Sequence, residues 1–576
     1  MKLTTTSGNE YWYNPHSNAI EEYDGQVYTQ PFVRYLPASV TDALPDLEHF
    51  IIEVTRNCNL RCTYCCYSGK YPDHRVHANE SMSDSEIESV LSFIEENRNK
   101  SSRLTISFYG GEPLLNMSFV QKAITHSKKL FPADTEYTIS TNGILLTEEN
   151  IRFIVENGIV LYVTIDGSPT LHDKNRRSIN NQPSFHTVHG NLERLRSHDI
   201  EYWFSKVHLL VTIESYSCLR SIAEYWVEDE ILKDVAPFSI SLVVPNYSYG
   251  SAYIDDYTTE LLSLLSYYEN HRNNMFCRTF FEMFISAIEN REIYDMPDTI
   301  FPYVCLPHNF KCFIDVKGNT GICEKISDNF RFGNIHTGFD YNKINAIIER
   351  HAAVRQSRCT CCWAYRLCQT CYHNLGLSDG VWKVDCENSR SIIACKLRIY
   401  LELVERNLLR LKEVPVLQSS RCVLKGINEL DIPRLQDIFN DADSQKFLPE
   451  LYDLMKTDNE VQTFLSSSRN NLRQGTGILW GTYKEDKLIG FVGITELNNN
   501  PTIFYAMHPD YRNQGFMKES VEVAIAYLCD SEQCDHIHTE VYKKNKASIA
   551  ILKSLGFYET NENKKDKTLM RLDIST

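Results

Sequence analysis

Six runs of β-branched and aromatic residues recur through the first 245 positions, separated by stretches whose apolar residues fall at helical spacing. They are HFIIEVT, RLTISFYG, EYTISTN, VLYVTID, YWFSKVHLLVTI and FSISLVVP. Between them, SDSEIESVLSFIEENR begins with Ser83 and Glu86, the two residues of a capping box, and EENIRFIVENG closes at Gly158 as a helix does. This alternation predicts an α/β domain, a parallel sheet with helices outside, either open or closed into a barrel. In such folds the chemistry gathers beyond the carboxyl ends of the strands. Those positions hold a cysteine loop (CNLRCTYCC, Cys58–Cys66), GGEP (Gly110–Pro113), STNG (Ser140–Gly143) and DGSPTLHDKNR (Asp166–Arg176). All four segments are expected on one rim.

The start, MKLTTTSGNEYWYN, has no apolar signal core, and no run of about 18 apolar residues is long enough to span a bilayer. A cytoplasmic protein without a membrane partner is expected. The formal net charge of -16 and the lack of a long basic run argue against a nucleic-acid partner. Nineteen cysteines in such a chain point to metal, because cytosolic thiols are kept reduced. Cys58, Cys62 and Cys65 stand at C-x3-C-x2-C with Cys66 adjoining, and ten more lie from Cys305 to Cys395. Three thiolates are one short of a closed zinc site, and an iron-sulfur cube held by three leaves one iron open. A zinc knuckle completed by Cys66 or His74 is the alternative. Cys66 suits it poorly, since neighbouring side chains on an extended backbone point apart. In the second group the glycines of CFIDVKGNTGIC and FRFGNI predict short hairpins around metal, with a pair of zinc sites as the alternative.

CNLRCTYC, with Tyr64 before its third cysteine, resembles the signature of radical S-adenosylmethionine (SAM) enzymes over about residues 49 to 250. The resemblance implies a partial (β/α)6 barrel at 49–270 and a [4Fe-4S] cluster on Cys58, Cys62 and Cys65. SAM would chelate the open iron, and its one-electron cleavage would give a hydrogen-abstracting 5'-deoxyadenosyl radical. It further implies Gly110, Gly111 and Glu112 at the SAM amino group, and Ser140 and Asn142 near its carboxylate or ribose. DG with HDKNR resembles the segment after the fourth strand in peptide-modifying members, which implies a cofactor-binding place for Asp166 and Arg176. The plainer readings are a helix-start carboxylate for Glu112, a turn residue for Asn142 and an ion pair for Arg176.

CTCCWAYRLCQTC resembles the SPASM auxiliary iron-sulfur domain, here at 300–395, with Gly318 and Cys323 supplying its G-x4-C. This implies one auxiliary [4Fe-4S] cluster on Cys305, Cys312, Cys323 and Cys371, and a second on Cys359, Cys362, Cys368 and Cys386. Cys371 follows Cys368 after two residues where the pattern has three, Cys395 is an alternative to Cys386, and Cys361 is left over. Glu324 follows Cys323, where related maturases carry an acid that takes a proton from substrate; a surface glutamate is the alternative.

A strand-rich extension (1–48) precedes the barrel, and a helix and linker (396–420) lead to a domain at 421–576 with antiparallel strands, then α/β units. HPDYRNQGFMKESVEVAIAYL sets a glycine loop between strand and helix, which aims backbone N–H groups at an anion. It resembles the pyrophosphate loop of GNAT acetyltransferases through Arg512 and Gly515, with Met517 replacing the final small residue. NKASIAILKSLGF resembles the ribosomal-protein acetyltransferase branch, which implies acetyl-CoA, Asn545 beside it and Ser548 as the acid for the leaving thiolate. A degenerate fold kept for peptide docking is the alternative.

Together these resemblances imply a peptide maturase. It would take hydrogen from a ribosomally made precursor peptide, close a thioether or carbon-carbon crosslink, and draw electrons from a flavodoxin- or ferredoxin-type donor. Acetylation by the GNAT domain would be a second modification. Formylglycine generation of the anaerobic sulfatase-maturase kind and a metal-binding scaffold without SAM turnover are the alternatives.

Overall fold

The computed structural model describes residues 1–23, 34–35, 46–70, 75–243, 252–293, 299–300, 305–307, 309–369, 371–372, 376–378, 381–383, 386–409, 414–449, 457–497, 501–531, 536–563 and 566–573. The chain divides into two compact units, Met1–Arg406 and Asn407–Thr576.

In the first unit, six strands follow the predicted rhythm: β1 Asp46–Thr55, β2 Thr105–Gly110, β3 Glu136–Thr141, β4 Val160–Thr164, β5 Val207–Ile213 and β6 Ser239–Leu242. Each pairs in parallel with its sequence neighbour, giving the order β6-β5-β4-β3-β2-β1. Alternate residues face opposite sides. Ile52, Ile106 and Phe108 face outward onto Val90, Leu91, Phe119 and Ala123 of helices Ile87–Asn97 and Met117–Ser127, and the Phe50 ring meets Phe93 of the first of these. Each is almost fully buried, which stabilises the fold by about 1.5–3 kcal/mol per side chain. The inner face is polar: His49 Nε2 lies 2.6 Å from Ser107 Oγ, to which Thr138 Oγ1 donates at 2.7 Å.

The same sheet continues past its first strand. β7 (Asn309–Ile314) pairs in parallel with β1, and β8 (Asn319–Gly321), β9 (Arg331–Asn334) and β10 (Gly338–Phe339) add antiparallel. A three-stranded sheet (Lys2–Thr4, Glu10–Tyr13, Ile20–Glu22) packs Leu3 and Tyr13 against Leu397 and Leu401 of helix Cys386–Glu405.

Two local expectations change. Tyr202–Lys206, read as the start of the fifth strand, belongs to helix Ile200–Lys206. Asp199 caps it by accepting the Tyr202 N–H at 2.8 Å, and the Tyr202 hydroxyl donates to the Ile159 carbonyl. Ser83 caps a 3-10 turn by accepting from Ser85 N–H, while Glu86 pairs with His336 at 3.1 Å and closes no capping box. The Glu148–Glu156 helix does end at Gly158, with φ 61°.

The second unit is an eight-stranded sheet: β11 Leu417–Gln418, β12 Val423–Lys425, β13 Gly477–Lys484, β14 Lys487–Thr495, β15 Thr502–Met507, β16 His536–Tyr542, β17 Tyr558–Asn563 and β18 Lys567–Asp573. The stretch read as linker thus ends in the first strand of this sheet. β11 to β15 are antiparallel, while β15 and β16 run parallel and meet only at Thr502 and His538. Beyond that pair the two strands are not hydrogen-bonded to each other.

Candidate functional site

The loop after β1 carries Cys58, Cys62 and Cys65, each with an N–H donor turned to its sulfur. Leu60 N–H donates to Cys58 Sγ at 3.4 Å and Asn142 Nδ2 reaches it at 3.7 Å; Arg176 Nη1 lies 3.9 Å from Cys62 Sγ, and Tyr67 N–H 3.4 Å from Cys65 Sγ. Burial pushes the Cys58 thiol up to about 12 and Cys62 up to about 11; a hydrogen bond with Cys66, then burial, raises Cys65 further. These thiols stay protonated until a metal displaces their protons. Residues 63–67 form a turn, not the extended chain assumed above, so the Cys65 and Cys66 thiols touch. His74 lies outside the described residues.

The rest of the rim braces this loop. Glu112 is fully buried and accepts from Leu114 N–H (3.1 Å), Thr141 Oγ1 (2.7 Å) and Asn142 N–H (2.8 Å), tying the ends of β2 and β3 together. Burial still pushes its carboxyl up to about 7. A Cβ on Gly110 would stand 2.2 Å from the Thr55 carbonyl oxygen, and one on Gly111 2.2 Å from that of Asn57. The close approach that demands glycine is therefore to the cysteine loop's own backbone. Asn142 Nδ2 also donates to Asn59 Oδ1 at 2.7 Å. Asp166 accepts from Arg176 Nε at 2.7 Å, from Thr212 N–H at 2.8 Å and from the Tyr64 hydroxyl, and the Arg176 guanidinium lies over the Tyr64 ring. Ser140 shares the inner face with Thr138. His172, which lies inside the DGSPTLHDKNR motif but was given no role there, accepts the Asp166 N–H at 3.2 Å; burial pushes it down to about 4, so it acts as a neutral acceptor.

On the inner face next to β1, Lys311 lies opposite His49, its Nζ 3.5 Å from Glu324 Oε2. Burial, the largest single influence, would raise the Glu324 carboxyl, but the Lys311 ammonium together with a backbone N–H, Lys325 and His49 outweighs it and holds the group below the usual carboxylate range. Arg75 donates to the Glu324 carbonyl, and Glu324 is close enough for its charge to act on Cys66 and Tyr109. The carboxylate is therefore no surface glutamate.

The two auxiliary sets differ. Cys359, Cys362, Cys368 and Cys386 line one pocket with Arg355, Arg358 and Arg390. Cys395 is buried elsewhere and accepts from Thr258 Oγ1 at 3.6 Å; Cys361 is exposed. Among the described residues no three His, Cys, Asp or Glu side chains converge on a single-ion position. The four thiols ring a pocket, as a cube with an iron at each corner requires. In the other set, Cys323 packs in one apolar cluster with Leu306 and Tyr372, neighbours of Cys305 and Cys371. Cys312, expected with them, is not brought there: it pairs with Phe50 on the helix-covered face of β7 and is fully buried.

In the second unit, Tyr505, Arg512, Gly515, Asn545 and Ser548 line a cleft of about 680 Å3 where β15 and β16 part. Gly515 has φ 85° in the loop before helix Phe516–Ser531, and Asn545 caps Lys546–Ser554 by accepting from Ser548 N–H at 3.1 Å. Tyr505, whose hydroxyl donates to the Ser548 carbonyl at 3.5 Å, was missed by motif reading; burial pushes it up to about 12. Glu540 lines the same cleft. Arg512 does line it, yet its guanidinium is held at 2.6 Å by Asp441 and at 3.5 Å by Asp443, so it is already neutralised.

Residues 52–225 match the family model of the radical SAM superfamily, and residues 421–558 that of the acetyltransferase (GNAT) domain. This chain carries a radical SAM domain and a C-terminal GNAT domain. The chain is 30% identical over 164 residues to a cysteine-type anaerobic sulfatase-maturating enzyme of Clostridium novyi (strain NT), covering 28% of this chain and 43% of the relative. It is 35% identical over 149 residues to a serine-type anaerobic sulfatase-maturating enzyme of Bacteroides thetaiotaomicron, covering 25% and 35%. The chain thus spans less than half the length of either relative. A solved structure described as native anSMEcpe with bound AdoMet aligns with 62% of this chain and 98% of its own, at 22% identity and a TM-score of 0.49.

A radical SAM domain implies a [4Fe-4S] cluster and SAM, and a GNAT domain implies acetyl-CoA. The rim fits the first pair through its three thiols and the N–H groups turned to them. The second unit fits acetyl-CoA through the cleft and the turn at Gly515. Among the described residues no helix is long and apolar enough to cross a membrane.

Proposed function

We propose that the first unit is a peptide maturase that removes a hydrogen atom from a ribosomally made precursor peptide and closes a thioether or carbon-carbon crosslink. The observation that carries this reading is the Lys311–Glu324 pair on the inner face of the barrel. Bound cluster and SAM supply the 5'-deoxyadenosyl radical; the chain's residues handle the rest. Glu324, ionised at neutral pH, accepts the proton that leaves the oxidised residue, and Lys311 keeps it ionised. Arg176 and Asp166 fix the cysteine loop from the side of β4 and β5. Cys359, Cys362, Cys368 and Cys386 would hold one of two auxiliary clusters, which would supply an acceptor for the electron, and Ser548 with Asn545 and Tyr505 serves acetyl transfer in the second unit. An electron donor of flavodoxin or ferredoxin type starts the cycle.

The test is anaerobic reaction of the reconstituted full chain with SAM, a reductant and a short cysteine-containing peptide, followed by mass spectrometry. A crosslink leaves the peptide lighter by two hydrogens and, for a thioether, with one thiol fewer to alkylate. Formylglycine generation is the second reading, favoured by the names of the matched relatives. It instead gives an aldehyde that a hydrazide traps.

A further inference from the structure

We infer that the second unit acetylates a primary amine with a large apolar group on the adjoining carbon, that this group fills a pocket beyond the acetyl-CoA cleft, and that Glu540 receives the amine. The inference rests on acetyl transfer as the chemistry of this unit and names its acceptor. The pocket, of about 350 Å3, lies among β13, β14, β15, β16 and the helix Asp458–Gln474. It joins the acetyl-CoA cleft where β15 and β16 part, because Phe447, Leu448, Phe504, Glu540 and Tyr542 line both. The Phe447 and Tyr542 rings meet there, their centroids 6.3 Å apart.

The preference for an apolar group comes from packing left incomplete. Helices Ile432–Phe439 and Asp458–Gln474 close a core over Leu479, Leu488 and Phe491 of β13 and β14. Leu448, Phe464 and Phe504 pack at the edge of that core but stay only partly buried, and all three line the pocket. An apolar group laid over them takes their surface and its own out of water, whereas a charged one gives up hydration against apolar walls. At the junction the chemistry changes. Among the described residues that line both cavities, Glu540 is the one carboxylate, and a carboxylate suits the ammonium form of an amine. Lys567 Nζ stands 3.9 Å from Glu540 Oε2, longer than a hydrogen bond, and lies over the Tyr542 ring. In the transfer, Glu540 takes a proton from the ammonium, the amine nitrogen bonds to the acetyl carbonyl carbon, and the C–S bond breaks. The second proton on nitrogen leaves to solvent, while Ser548 hands one to the departing thiolate and regains it from solvent.

The experiment uses the full chain. Calorimetry with CoA present reads amine binding without turnover, and mass spectrometry of the N-acetyl product formed from acetyl-CoA reads kcat/KM. L-Phenylalanine amide should bind about 10-fold tighter than glycine amide and show a kcat/KM higher by at least as much. Phe-Ala-Ala amide against Gly-Ala-Ala amide makes the same comparison for a peptide N-terminus, so the pair with the larger preference identifies the source of the amine. Ser468→Trp, which fills the pocket from its helix, should bring these ratios close to one. Glu540→Gln should slow every amine about 100-fold. Equal binding and equal kcat/KM within both pairs overturn the inference, as does a Glu540→Gln enzyme as fast as the wild type. If acetyl-CoA itself fails to bind, the acetyl-transfer reading falls and takes this inference with it; if it binds and no preference appears, only the inference falls.

Discussion

The rim of the barrel and the cleft of the second unit are both made from loops that follow strands, yet their motif residues do different work. On the rim, Glu112, Asp166 and Arg176 are 0%, 3% and 7% exposed and bond mainly to other loops. In the cleft, the turn at Gly515 leads into a single helix, and Arg512 is held by the cap of another, Asp441 before Ala442–Phe447. A cluster held by three thiols in one loop needs that loop fixed from several strands, so residues that look like ligand contacts become mutual braces. A loop that offers N–H groups at one helix end needs no such network.

The largest test of this contrast is Arg176→Met, which leaves the Asp166 carboxylate buried beside Thr212 and Tyr64 without its cation. We expect a loss of about 3–5 kcal/mol in denaturant unfolding, together with reduced iron content. Gly111→Ala forces a methyl group against the Asn57 carbonyl and should cost about 3 kcal/mol by the same assay; an unchanged unfolding midpoint would break the bracing account. Glu324→Gln should leave stability and SAM cleavage nearly intact while slowing peptide product formation about 100-fold, measured by mass spectrometry.

Lys311→Met sharpens the point through pH. Glu324 sits below the usual carboxylate range in the wild type, so the base is present at neutral pH and is lost only as pH falls through that low value. Without the ammonium, the acid limb of product formation should move to higher pH. The smallest effect is expected in the cleft. Because Arg512 is already paired with Asp441 and partly exposed, Arg512→Ala should weaken acetyl-CoA binding by less than about 5-fold in calorimetry.

Much of this was legible in the sequence because local periods carried it. The six strands, the helix end at Gly158 and the cysteine loop after β1 follow from alternation, a left-handed glycine and spacing. Tyr202–Lys206 was misread because a short apolar run satisfies both periods, and the Asp199 cap decided it. Cys386 and Cys395 stand nine residues apart on one helix, about 180° around its axis, so only one of them can face a given pocket. Sequence could not say which, because the choice depends on where Arg355 and Arg390 come to lie around the pocket. Tyr505 gave no motif signal, since its role comes from the divergence of β15 and β16.

By itself the sequence determined the fold class, the two domains and the three thiols of the first loop, since these depend on neighbours within a few residues. Only the tertiary structure decided that Glu112 and Asp166 brace other loops, that Glu324 meets Lys311 on the inner face, and that Cys312 stands apart from Cys323. The physical reason is that the face of a strand and the partner of a buried charge are fixed by register and packing between distant segments, which spacing along the chain does not encode.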